Sequence, residues 1–158
     1  MSVSKIVSVL QKYGTFEQRP EQTRDAYKDL QGFSASDTTQ AFAEALSSGN
    51  QDLVLFTLTL IADYYSDCTG VLPEVRYLLI NGSRLEQAAA MTVLSEMRDA
   101  DTTVEEALRR LMMSGDRLMQ IGAAGTLLRC FDCAEARRFL EQHQDDQSVR
   151  WHLNRCKN

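Results

Sequence analysis

Apolar residues recur along this chain every three or four positions, in runs broken by Gly, Asp, Asn and Ser. That period belongs to amphipathic α-helices, each with one buried stripe. The runs and their stops predict ten helices, at residues 3–13, 21–31, 37–48, 51–66, 73–81, 84–98, 103–114, 117–131, 133–143 and 148–157. Pro73 suits the first turn of its helix, where the missing amide hydrogen has no partner to lose. The spacing of Val54, Thr57, Thr59 and Ile61 also suits a buried strand. Helix is nevertheless the expectation, because the same register one repeat later holds Gln87-Ala-Ala-Ala-Met91, a strongly helix-prone run.

The stops themselves repeat. Gly49, Gly82 and Gly115 lie 33 residues apart, and Asn50, Ser83 and Asp116 follow them directly. A glycine closes a helix in the left-handed conformation at no steric cost. The short polar side chain after it then accepts a hydrogen bond from the free amides of the next helix. Ser83 with Glu86, and Thr102 with Glu105, have the spacing of reciprocal capping boxes, while Asp132 and Ser148 read as further caps. The offset of 33 also aligns Leu46 with Leu79 and Met112, Leu55 with Ala88 and Ile121, and Ile61 with Leu94 and Leu127. Three tight helical hairpins are the result. A fourth, without the glycine, spans 133–157 as a terminal unit.

A helical-hairpin period with aliphatic outer helices and small-residue-rich inner helices resembles the HEAT/armadillo class of α-solenoids. The resemblance covers residues 36–157 and rests on the pattern around Gly49, Gly82 and Gly115. It implies an all-α fold, a short right-handed α-α superhelix of about four hairpins. Residues 1–158 are then expected to form one domain, with 1–35 as N-terminal capping helices. The resemblance further implies a protein-binding scaffold, although some HEAT-like proteins, including bilin lyases and alkylpurine DNA glycosylases, are enzymes.

Sorting the inner helices by helical spacing gives a core face at 55, 58, 59 and 62 and their equivalents, and a second buried stripe at 57 and 61. The remaining stripe reads Leu53-Phe56-Leu60-Asp63, then Glu86-Ala89-Val93-Glu96, then Met119-Gly122-Thr126-Arg129. In a stacked solenoid such a stripe lines the concave face, and its mixture of apolar and charged groups is that of a protein-binding groove. Phe56, Leu60, Asp63, Glu86, Glu96 and Arg129 are therefore the candidate partner-binding residues. The competing placement for Leu53, Phe56 and Leu60 is beneath the N-terminal capping helices.

Composition narrows the function classes. Hydrophobic residues make up 44% of the 158 and charged residues 25%, which excludes global disorder. Eight glycines and two prolines are too few for a many-stranded β-sandwich. The net charge of −5 argues against a free-standing DNA-binding domain, and so nucleic acid is disfavoured as a partner. Residues 1–70 hold five basic and nine acidic side chains, whereas eleven of the twelve basic residues in 71–158 are arginine. That asymmetry suits a basic partner protein docking in one orientation, as in an adaptor or immunity protein. Met1–Ile6 shows no signal for secretion or transit, and the longest apolar stretch, Leu53–Ala62, is too short to span a bilayer. Four sparse cysteines point to free thiols in the cytoplasm.

Chemical motifs are few. Cys130-x2-Cys133 with His152-x3-Cys156 has zinc-like spacing, but the helical register separates the two pairs by ~9 Å along the axis at 1.5 Å per residue. No metal and no cofactor is expected. His143 sits at a helix C-terminus, where a partly cationic ring is favourable. Glu105 with Arg109, and Glu106 with Arg110, are i, i+4 pairs on a solvated face. No phosphate loop, nucleophile elbow or zinc-protease motif occurs. Tyr64 and Tyr65 read as packing groups, being flanked by Asp63 and Asp67 and by no bases-stacking cations. A non-catalytic binding module is the leading expectation. The alternative is a HEAT-like enzyme with a deep pocket near Asp63, Glu96 or Cys133.

Overall fold

The computed structural model describes residues 1–15 and 19–157, apart from the side chain of Ser114, and the described residues form ten α-helices and no strand. They are α1 (Ser2–Tyr13), α2 (Pro20–Asp29), α3 (Ala35–Leu46), α4 (Gln51–Tyr64), α5 (Leu72–Asn81), α6 (Arg84–Met97), α7 (Thr102–Ser114), α8 (Arg117–Phe131), α9 (Ala134–Glu141) and α10 (Gln147–Arg155). A 3-10 turn, Thr69–Val71, leads into α5. Each helix lies within two residues of its predicted bounds. Contacts gather the chain into two compact units, Met1–Val93 and Leu94–Asn158, and α6 runs through the boundary.

In the first unit α1 packs on α3 and α4, and α2 packs on α4. These contacts bury Ile6, Leu10, Ala41, Phe42, Phe56, Leu58, Leu60 and Ile61, each at most 1% exposed. In the second unit α8 packs against α7, α9 and α10 around Val104, Leu108, Ile121, Ala124, Leu127, Leu140 and Val149. Covering α4 with α1 and α2 selects the second of the two placements for its apolar stripe: Leu53, Phe56 and Leu60 are 3%, 1% and 0% exposed, so Phe56 and Leu60 leave the candidate partner-binding set. Thr59, placed in the core, is exposed. The helix is buried nearly all round, as an apolar helix with neighbours on several sides must be.

The caps account for the hairpin stops, with corrections. Asn50 Oδ1 accepts from the Leu53 amide at 3.2 Å, and Asp116 Oδ1 accepts from the Met119 amide at 3.2 Å. Ser83 and Glu86 form the reciprocal box: the Glu86 amide donates to Ser83 Oγ at 3.3 Å, and the Ser83 amide to Glu86 Oε2 at 3.1 Å. Ser83→Ala is expected to cost about 1 kcal/mol in denaturant unfolding, with the slope of the transition unchanged. Asp101 replaces Thr102 as the cap of α7, and Asp146 replaces Ser148 as the cap of α10. Each carboxylate accepts from an amide two residues on, at 2.9 Å. Asp132 does not cap α9. It closes α8 in the left-handed conformation, φ +48°.

The glycines work differently from expectation as well. Of the three glycines spaced by 33, Gly49 alone is left-handed, φ +73°; Gly82 and Gly115 are extended, at φ −74° and −73°. Their need is steric. A Cβ on Gly115 would lie 2.6 Å from the Leu111 carbonyl oxygen, and one on Gly82 would press on the Leu78 carbonyl oxygen and sit 2.8 Å from Glu86 Oε2. Where one helix turns straight into the next, the chain passes too close to the finished turn for any side chain. The i, i+4 pairs of α7 both form, Arg109 to Glu105 at 3.0 Å and Arg110 to Glu106 at 3.9 Å, on a solvated face.

Candidate functional site: a tyrosine-lined pocket

The end of α2 and the loop after it, the start of α3, and the segment between α4 and α5 converge on a cavity of about 500 Å³ in the first unit. Tyr27, Phe33, Tyr64 and Tyr65 supply aromatic walls, and Thr38, Thr39, Gln31 and Thr69 supply polar groups. This size and mixture are those of small-ligand and side-chain sites. Tyr27 stacks on Tyr64, with ring centroids 4.5 Å apart and planes 13° apart, and meets Tyr65 edge-on at 5.6 Å. Phe42 holds Tyr65 from the core side, edge-on at 4.9 Å. Gly32, φ +92°, turns the chain between α2 and α3, which brings Phe33 to the rim. Gly70 lets the following segment approach α3 closely, since a Cβ there would lie 2.6 Å from the Thr39 methyl.

The electrostatics are one-sided. Among the described residues Asp67 is the only formally charged one lining the pocket at neutral pH. Burial, with the neighbouring Tyr27 and Cys68, pushes the Tyr65 hydroxyl up to about 12. Burial also raises the Cys68 thiol, against a 3.1 Å hydrogen bond with the Thr39 hydroxyl that favours the thiolate. Cys68 is therefore a neutral thiol, shifted away from the activated state a nucleophilic cysteine needs. Aromatic faces with one carboxylate and no cation attract a positively charged group.

The six residues singled out in the sequence do not assemble here. Phe56 and Leu60 lie in the core of the first unit. Asp63 is exposed beside the tyrosine pocket, in a cleft of about 420 Å³ between α2 and α4, where Thr23 Oγ1 donates to it at 3.4 Å. Glu86 closes its capping box and lines a groove of about 610 Å³ with Leu46, Val54, Tyr77 and Leu78. In the second unit Glu96 pairs with Arg155, and Arg129 Nε donates to the Ser95 carbonyl at 2.9 Å. Tyr27 and Phe33 were missed because they precede the stretch in which the 33-residue sequence spacing was read. The signal for them was the aromatic content of the N-terminal segment beside Tyr64-Tyr65.

Of the zinc-like residues Cys130 and Cys156 lie near each other, but the four do not close on one site among the described residues. Cys130 donates to the Leu94 carbonyl at 3.4 Å, and burial beside Asp99 pushes its thiol up to about 12. Cys133 is buried at the start of α9, and the His152 ring lies on Gly125. Among the described residues no three His, Cys, Asp or Glu side chains group as metal ligands, and no helix is long and apolar enough to cross a membrane. His143 does sit at the end of α9, where its Nδ1 lies 2.6 Å from the Phe139 carbonyl oxygen. No family model matches the chain, and no curated protein or solved structure is similar enough to count as a relative.

Proposed function

We propose that this chain is a non-catalytic protein-interaction module of HEAT-like hairpins, whose tyrosine pocket receives a cationic side chain of a basic partner. The observation that carries the reading is the pocket itself: four aromatic rings and Asp67, with no lysine, arginine or histidine among the described lining residues. A guanidinium or ammonium entering it exchanges water for π faces and a carboxylate, an arrangement worth ~0.5–2 kcal/mol before the carboxylate contributes. The acidic balance of residues 1–70 supports the same sign of partner by steering its approach. The equal 33-residue spacing of Gly82 and Gly115, with matching backbone angles, supports the repeat reading. Four free cysteines support a reducing compartment such as the cytoplasm.

Two measurements test the module. Titrating the labelled chain with arginine amide is expected to shift the NMR signals of Tyr27, Tyr64, Tyr65 and Asp67 saturably. The immobilised chain is expected to retain a basic protein from its native extract, and Asp67→Lys to reduce retention about tenfold or more at unchanged helicity. Equal retention by Asp67→Lys, or arginine amide shifts spread evenly over the surface, overturns the pocket as the docking point.

A further inference from the structure

The second unit holds a site of the opposite sign. Arg98 after α6, Arg129 on α8, Arg137 on α9 and Arg155 on α10 converge on one small cavity of about 180 Å³, which Asp132 and Cys156 complete. We propose that this cavity binds the phosphoryl group of a small phosphorylated molecule.

Three observations carry the assignment. First, four guanidiniums come from four separate segments, and among the described lining residues Asp132 is the only carboxylate. Glu96 pairs with Arg155, Asp132 lies 3.4 Å from Arg137, and buried Asp99 faces the group from beside Cys130. The bond of Arg129 Nε goes to a neutral carbonyl, so it orients the guanidinium without neutralising it. Positive charge thus exceeds negative around the cavity. Second, the fork of a guanidinium matches the oxygens of a phosphate in bidentate geometry, and arginine clusters recur where phosphates are read. Third, Arg98 and Asp132 are the two non-glycine residues with positive φ among those described, at +51° and +48°; each closes its helix in the left-handed conformation, and the two closures place both residues on this cavity. The Arg155 guanidinium is further fixed over the Trp151 ring at 4.3 Å, which leaves less freedom to lose on binding.

The sequence located arginine enrichment in residues 71–158 but could not say that these four meet. The cavity is too confined for a folded segment and open enough for one anionic group.

The test titrates the full chain with inorganic phosphate, phenyl phosphate, a phosphoserine peptide and a single-stranded oligonucleotide, read by calorimetry and by NMR at Arg98, Arg137 and Arg155. Saturable binding of phosphate and phenyl phosphate is expected, weakened by added salt. Arg98→Gln with Arg137→Gln is expected to weaken it about tenfold or more, because two charge-assisted hydrogen-bonding groups are removed. Arg137 is half-buried at the surface and Arg98 is exposed outside the helices, and neither belongs to the buried core, so both variants keep it. A thermal melt at the wild-type midpoint confirms that. No saturable phosphate binding, or binding unaffected by the double variant, overturns the site. Tighter binding of the oligonucleotide or the peptide than of phenyl phosphate overturns the small-molecule assignment. Because the site lies wholly in the second unit, its failure leaves the tyrosine pocket untouched.

Discussion

Phe56→Ala is expected to destabilise the first unit by about 3–5 kcal/mol. Phe56 is 1% exposed on α4, with α1, α2 and α3 packed against its helix. Removing the ring forfeits its transfer free energy and leaves a cavity that three packed helices cannot fully close. Phe56→Leu retains most of the volume and is expected to cost much less. The check is urea unfolding of both variants, followed by far-UV circular dichroism. A partner-facing Phe56 would behave oppositely: truncation would leave stability unchanged and weaken binding. A loss below about 1 kcal/mol for the alanine variant contradicts the burial described for α4.

Acid is expected to weaken the second unit through His152. Its ring lies against Gly125, and burial, with Arg155 adding repulsion, lowers its pKa from 6.5 to about 4. The folded chain therefore keeps a neutral imidazole over the range in which the unfolded chain takes up a proton. The unfolded state binds more protons between these two values, so stability falls as the pH drops from about 6.5 to about 4 and is flat above. At 1.36 kcal/mol per pH unit the loss reaches up to roughly 3 kcal/mol, less whatever solvent reaching the ring screens. Denaturant unfolding at several pH values measures the slope. His152→Leu is expected to flatten this part of the profile while keeping the contact with Gly125 apolar. An NMR titration placing His152 near 6.5, or parallel profiles for the two chains, contradicts the assignment.

The helices were legible because their stops are written locally. Gly82-Ser83 and Gly115-Asp116 each mark the end of one helix and the start of the next, whatever the tertiary context. The caps at Thr102 and Ser148 slipped by one or two positions because Asp101 and Asp146 stand beside them, and a carboxylate takes the amide hydrogens first. The burial of Leu53, Phe56 and Leu60 was not legible from the repeat. It depends on α1 and α2, which do not share the period and whose placement only long-range packing fixes. The tyrosine pocket shares that dependence, since Tyr27 and Phe33 meet Tyr64 and Tyr65 only once α2 lies on α4. Likewise, eleven arginines among twelve basic residues gave a bias, not a location. Four of them meet because α6, α8, α9 and α10 end or pass near one another in the second unit.

The three hairpin glycines carry an evolutionary corollary. Gly49 has open space around it and is constrained only by its dihedral angle, so asparagine is a tolerable replacement there over long divergence. Gly82 and Gly115 have dihedrals that every residue accepts, yet backbone oxygens occupy the volume a methyl group needs. Drift should therefore erase the first member of the series while the other two persist, and a search for distant homologues should be anchored on that surviving pair.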